Sequence, residues 1–225
     1  MTSFEEILCL DAPLADRLKV YAEQLSDDQP VIADAYSELV ARLKAADAGI
    51  EAPGLDERMP PFLLPDSDGR LNSLSILLSR GPLVVSFNRG HWCNFCRLEL
   101  KVLAEIYPTI KKIGGELVSI MPDTAGPIGR LKQDIDIPFP ILTDIDNGYA
   151  LRCGLMISLG NAIKDVYHNM GRELGKFQGN DAWFVPIPAT FVISTDGHIK
   201  GELIDPDFRN RMAPDDILSC LAPSS

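Results

Sequence analysis

Phe87-Asn88-Arg89-Gly90-His91-Trp92-Cys93-Asn94-Phe95-Cys96 joins an apolar run, Leu83-Val84-Val85-Ser86-Phe87, to a segment of helical periodicity. A strand, a glycine turn and then Cys-x-x-Cys opening a helix make the two cysteines candidates for redox chemistry. The spacing sets Cys93 at a helix N-terminus, where unpaired backbone N–H groups and the positive end of the helix dipole favour thiolate over thiol. Arg89 and His91 add positive charge nearby. A thiol with pKa near 8.5 is only about 3% ionised at pH 7, whereas one near 6.5 is about 75% ionised. Cys96 falls on the same helical face and can attack a sulfur bonded to Cys93, closing a small disulfide.

Three other readings of this pair meet objections in the rest of the chain. Zinc needs a second pair of ligands, but Cys9, Cys153 and Cys220 stand alone and His91, His168 and His198 are scattered. A structural disulfide network lacks partners at recognisable spacings. A buried, inert pair fits poorly with Arg89 and Trp92 flanking it in a glycine-containing turn. Neither Gly-x-Gly-x-x-Gly nor a phosphate-binding loop occurs, so neither a cofactor nor a metal is expected.

At 225 residues, 46% hydrophobic and 24% charged, the chain has the composition of a soluble globular protein with one large domain or a domain with an arm. A net charge of −11 argues against nucleic acid and anionic membrane as partners. There is no apolar run long enough to span a bilayer, and Met1-Thr2-Ser3-Phe4-Glu5-Glu6 lacks the features of a signal peptide. The expected location is the cytoplasm, where Cys-x-x-Cys is more often catalytic than structural.

Around the cysteines the chain alternates in character. Leu14, Leu18, Tyr21 and Leu25 recur at helical spacing, with Asp11 as a cap and Pro13 in the first turn; Ile32, Tyr36, Leu39, Val40 and Leu43 make a second stripe between Pro30 and Gly49. This hairpin is expected to pack on its own domain, with dimer contacts as the alternative. Prolines between Ala52 and Pro65 mark a boundary, giving an extension over 1–52 and a main domain over 53–225. Phe62-Leu63-Leu64 and Arg70 to Leu74 read as a hairpin around Asp68-Gly69. After Cys96, Leu100, Leu103, Ile106, Tyr107 and Ile110 share a helical face, and Pro108 is expected to kink or end that helix. Glu116 to Ile120 and Phe139 to Leu142 read as strands, Ile128 to Ile135 and Ile145 to Leu151 as helices, and this alternation predicts a mostly parallel sheet. Met156 to Met170 has helical spacing before a glycine-rich loop, and residues 154–185 either roof the cysteines or make a surface excursion. Ala189 to Ile193 and His198 to Ile204 flank Asp196-Gly197 as a hairpin, before a closing helix from Pro214.

Trp92-Cys93-Asn94-Phe95-Cys96 after a strand resembles the thioredoxin-fold active site. Residues 53 to about 221 resemble the alkyl hydroperoxide reductase/thiol-specific antioxidant group, and most of all its peroxiredoxin-like branch with Phe-x-Arg-Gly-x-Trp-Cys-Pro-Tyr-Cys and a helical N-terminal extension. Leu117 to Ile120, Pro138 to Asp144 and Thr190 to Gly197 add to the likeness. The resemblance implies an α/β, thioredoxin-like three-layer fold with a mixed central sheet after an N-terminal helical hairpin. It also implies a cis proline facing the cysteines at Pro188. Peroxiredoxins place a Pro, and closer in a Thr or Ser, before the peroxidatic cysteine, and an Arg before the late strand; here Ser86, Gly90 and the Pro188-Ala189 element occupy those positions.

The resemblance implies a thiol peroxidase. Cys93 would attack a hydroperoxide and become a sulfenic acid, Cys96 would resolve it as a Cys93–Cys96 disulfide, and Arg89 would stabilise the thiolate and the developing oxyanion. Trp92, Pro188 and His91 would shape the mouth. The implied partners are a hydroperoxide, a thioredoxin-like or other thiol reductant, and a second copy of the chain in a homodimer. The alternatives are a thiol–disulfide oxidoreductase acting on protein disulfides and a non-catalytic redox sensor. A base role for His91 is set against the tendency of neighbouring turn residues to point apart, and Asp123, Asp144 and Glu99 are candidates for proton transfer. His168 and His198 are expected at the surface.

Overall fold

The structure, a computed structural model, describes residues 2–222. Three helices open the chain: α1 (Phe4–Leu8), α2 (Leu14–Asp28) and α3 (Pro30–Ala45). The first was not foreseen, yet Ser3 and Glu6 form a reciprocal cap. Ser3 Oγ accepts the Glu6 N–H at 3.2 Å and the Glu6 carboxylate accepts the Ser3 N–H at 2.6 Å. Asp11 does not cap α2; Pro13 occupies that position and offers no side-chain bond.

The boundary segment leads into an antiparallel hairpin of β1 (Leu63–Pro65) and β2 (Leu71–Ser73), followed by α4 (Leu74–Leu78). Asp66 holds the turn, accepting the N–H groups of Asp68 and Arg70 at 2.9 Å each. The main fold then runs β3 (Leu83–Phe87), α5 (Asn94–Lys112), β4 (Glu116–Met121), α6 (Ala125–Asp134) and β5 (Ile141–Thr143). A 3-10 turn (Ile145–Asn147) and α7 (Gly148–Arg152) lead to β6 (Met156–Ser158), α8 (Gly160–Asn169), α9 (Gly175–Gln178) and β7 (Phe184–Pro186). The described chain closes with β8 (Ala189–Ile193), β9 (Ile199–Ile204) and α10 (Pro214–Leu221).

Five strands form the central sheet in the order β5-β4-β3-β8-β9. β3, β4 and β5 are parallel, but β8 runs antiparallel to β3 and β9 antiparallel to β8. The sheet is therefore mixed rather than mostly parallel: β8 enters antiparallel beside β3, and the Asp196-Gly197 hairpin sets β9 antiparallel to β8. β3 is buried at all five positions, as expected of a strand covered on both faces. Helix α5 does not stop at Pro108 but runs on to Lys112. A proline deletes only one backbone donor, and the buried Ile110 beyond it keeps that end of the helix on the core.

The segment 154–185 is not one helix and a loop. Met156–Ser158 pairs antiparallel with Phe184–Pro186, and the helical parts between them are α8, Gly160–Asn169, and the short α9, Gly175–Gln178. The N-terminal hairpin packs on its own domain. Arg17 makes a two-pronged bond to Glu105 at 3.0 Å in each arm, and Asn94 Nδ2 donates to the Tyr21 hydroxyl at 3.0 Å. The chain that leaves the hairpin passes against Gly154, whose φ is +67°. An added Cβ there would lie 2.8 Å from the carbonyl carbon of Glu51 and 2.9 Å from its oxygen. Gly154→Ala is expected to lower stability by about 1–3 kcal/mol, read as a reduced urea midpoint; an unchanged midpoint would contradict this close approach.

Candidate active site

The end of β3 aims the turn that carries the cysteines. Asn88 N–H extends the pairing with β4 by donating to the Ile120 carbonyl at 2.9 Å. Its buried side chain donates to Ser86 Oγ at 2.8 Å and Ser119 Oγ at 3.1 Å. Gly90 then takes φ +143°, and a Cβ there would stand 2.5 Å from Trp92 Nε1 and 2.9 Å from Asp123 Oδ1. Only glycine lets the indole fold back over the turn.

Cys93 is the cap of α5, its Sγ accepting the Cys96 N–H at 3.4 Å. Arg89, with no exposed surface, donates from Nη2 to the same sulfur at 3.1 Å. The ring of Phe208 lies 3.5 Å from the guanidinium carbon, and those of Tyr36 and Trp92 lie 5.4 Å away. Cys96 donates its S–H to Cys93 Sγ at 2.8 Å, and both residues are free thiols. Behind Cys96 stands a second buried cation. Arg211 pairs with Glu99, places Nη2 3.6 Å from Cys96 Sγ and donates from Nε to the Phe208 carbonyl at 2.9 Å. Glu99 also accepts from Thr190 Oγ1 at 3.1 Å.

Burial alone pushes the Cys93 thiol up. The bond from Cys96 and the charges of Arg89 and Arg211 outweigh it and hold the thiol well below its ordinary value. Cys96 is driven the other way, by its burial and by the neighbouring Cys93 thiolate. The pair therefore shares one negative charge, resident on Cys93, and one proton, resident on Cys96.

Of the residues expected here, Arg89, Trp92, Cys93 and Cys96 come together. His91 turns away: its backbone N–H and Nδ1 both lie 2.7 Å from Asp123 Oδ2, and its ring meets Phe177 edge-on with centroids 4.5 Å apart. His91 thereby occupies Asp123 Oδ2, leaving Oδ1 buried without a partner, and Asp144 caps α7 by accepting the N–H groups of Tyr149 and Ala150 at 2.9 Å each. Among those three carboxylates Glu99 is the one beside a cysteine. Pro188 is buried at the start of β8, where Ala189 pairs with Phe87, but it is not cis, since the described residues contain no cis peptide bond. Just before it, Ile187 N–H donates to the Leu155 carbonyl at 2.7 Å. His168 is exposed and lies against Trp183, while His198 is half-buried beside Asp196.

Four residues of the site had no role in the sequence reading: Tyr36 from α3, Tyr167 from α8, and Phe208 and Arg211 from the loop between β9 and α10. Tyr36 and Tyr167 were legible as members of apolar stripes; nothing marked the loop beyond Phe208-Arg209-Asn210-Arg211 itself. Residues 154–185 do contact the cysteine turn, through Tyr167 against Trp92 at 5.5 Å and through Phe177 against His91. Among the described residues no group of three or more His, Cys, Asp or Glu is arranged to hold a metal ion. No described helix is long and apolar enough to cross a membrane.

Comparison with known proteins bears on the fold and the family. The thiol-disulfide oxidoreductase ResA of Bacillus thuringiensis subsp. konkukian is 24% identical over 153 residues, which is 66% of this chain and 70% of that protein. A putative chloroplastic peroxiredoxin Q of Oryza sativa subsp. indica is 34% identical over 88 residues, covering 39% of this chain and 40% of its own. Among solved structures, peroxidoxin BcpB from Mycobacterium tuberculosis superposes with a TM-score of 0.57 at 21% identity, covering 74% of this chain and 95% of the other, and so shares the thioredoxin-like fold. Residues 55–201, which hold both cysteines and β1 to β8, match the model of the AhpC/TSA family, and the chain belongs to that family.

Proposed function

We propose that the chain is a thiol peroxidase that reduces hydrogen peroxide or organic hydroperoxides. The observation that carries this reading is the Arg89–Cys93 contact at 3.1 Å in a site where Cys93 keeps only 2% of its surface. A charge-stabilised thiolate buried this deeply suits a small oxidant better than a disulfide on a folded protein. The thiolate attacks the distal peroxide oxygen, the O–O bond breaks, and Cys93 becomes a sulfenic acid. Arg89 Nε and Nη1, both buried without a partner, are the donors available to the substrate oxygens. Cys96, already 2.8 Å away, then attacks that sulfur; its proton leaves with the hydroxide as water and a disulfide remains. A thioredoxin-like or other thiol donor returns the pair to the reduced state.

The second reading, thiol–disulfide exchange with protein substrates, draws on the likeness to ResA along 66% of the chain. Insulin-disulfide reduction set beside peroxide consumption separates the two.

Cys93→Ser is expected to abolish the rapid loss of two thiols on adding hydrogen peroxide, and oxidation in wild type no faster than that of free cysteine would move the assignment to disulfide exchange. Cys96→Ser is expected to leave a sulfenic acid that a dimedone-type reagent traps; rapid disulfide formation in that variant would transfer resolution to another cysteine. Arg89→Met removes the nearest cation, so the thiolate absorbance is expected to appear at a pH higher by at least about one unit, with a fall of about tenfold or more in peroxide reactivity at neutral pH. An unmoved titration would show that Arg89 does not hold the charge.

A further inference from the structure

Two buried hydroxyls in the cysteine site have no part in the steps above. Tyr36 is 6% exposed and Tyr167 fully buried, with their oxygens 2.6 Å apart. Two phenols bring two protons, and the bond between them uses one. The other proton has no acceptor among the described residues. It lies among donors that are also unused: the Tyr36 ring is 5.4 Å from the Arg89 guanidinium carbon, and Nε and Nη1 of that guanidinium are unpartnered. Trp92 Nε1 is likewise a buried donor without a partner, while the buried acceptors without partners on this turn are Asn88 Oδ1 and Asp123 Oδ1. An oxygen-bearing ligand is what such a site lacks.

The peroxidase reaction also leaves a chemical gap. Breaking the O–O bond releases hydroxide or an alkoxide, a strong base in a place shielded from water. Gly90 has no side-chain donor to offer. His91 is committed to Asp123, the Cys96 proton points at Cys93, and Glu99 is locked to Arg211 and Thr190. Of the hydroxyls near Cys93, those of the tyrosine pair include the one whose ring lies against Arg89.

We propose that the Tyr36–Tyr167 hydroxyl pair is the general acid of peroxide cleavage, donating its uncommitted proton to the leaving oxygen. This inference rests on the peroxidase reading. In the step, the Cys93 thiolate supplies the electron pair of the new S–O bond, the O–O bond breaks toward the proximal oxygen, and that oxygen takes the phenolic proton. Sulfenic acid, alcohol or water, and a tyrosinate result. The tyrosinate shares the remaining proton of the pair beside the Arg89 cation. It would recover its own proton from water; Tyr36, with Leu25 and Phe95, also forms part of the wall of a cleft of about 70 Å³ between α2 and α3. Half of the acid thus comes from the N-terminal helices, outside the 55–201 span that matches the family.

A leaving group that is already a weak base needs no such help, which gives a readout that a packing defect cannot imitate. Tyr36→Phe, Tyr167→Phe and the double variant would be oxidised with hydrogen peroxide, tert-butyl hydroperoxide and peracetic acid, with thiolate absorbance followed to confirm that Cys93 stays ionised. The expected result is a loss of about 100-fold with the two hydroperoxides and little change with peracetic acid, whose leaving group is acetate. The same pattern confined to the double variant would equally support the pair as the donor. An equal loss with all three oxidants, or none in the double variant, would overturn the inference while leaving the peroxidase reading in place. Wild type that reacts with all three no faster than free cysteine would remove the peroxidase reading and this inference together.

Discussion

A guanidinium with no contact to solvent is the constraint on which this structure turns. Burying an unpaired cation is costly enough that such a group either finds an anion or stays at the surface. Arg89 finds Cys93. At about 4 Å and an effective dielectric of about 20, two unit charges attract by about 4 kcal/mol, equivalent to about three pKa units. That attraction opposes the effect of burial on the thiol, and the phenyl ring of Phe208 against the guanidinium helps to replace lost water. Arg211 and Glu99 repeat the arrangement one helical turn further along, so the core carries charges of both signs in register with its two sulfurs.

The N-terminal helices belong to this electrostatic arrangement rather than merely preceding it. Tyr36, one of the rings around Arg89, lies on α3, and Tyr21 on α2 receives the side chain of Asn94 between the two cysteines. Residues from Ile7 to Leu43 share one continuous core with the sheet. Helix α5 is thus gripped at its reactive end by aromatic side chains from the start of the chain: Phe95 meets Tyr21 with ring centroids 4.9 Å apart and Tyr36 at 6.5 Å.

The parts of the fold that were legible in the sequence are those where local pattern and tertiary demand agree. β3, the glycine turn, the Cys-x-x-Cys helix and the β8–β9 hairpin each carry their own signal within a few residues. Met156 to Ser158 misled because a three-residue strand inside a helical-period run cannot be told from a helix start without its partner at Phe184 to Pro186. Helix α1 was readable in principle from Ser3 and Glu6. In the site, Arg89 and the cysteines lie on one short stretch and were found together. Tyr36, Tyr167, Phe208 and Arg211 come from three separate segments, and only the folded chain gathers the aromatic rings on the Arg89 side of the cysteine pair and Arg211 on the Cys96 side.

The separation of 2.8 Å between the two sulfurs has an electrochemical side. Closing the disulfide neutralises Cys93 and leaves Arg89 opposite a sulfur that bears no charge, still with no surface to offer to water. The reduced protein holds the matched ion pair and the oxidised protein an orphaned cation. Stabilising the dithiol form relative to the disulfide raises the reduction potential, so the site releases its disulfide to a donor more readily than a couple whose thiolate has no counter-ion.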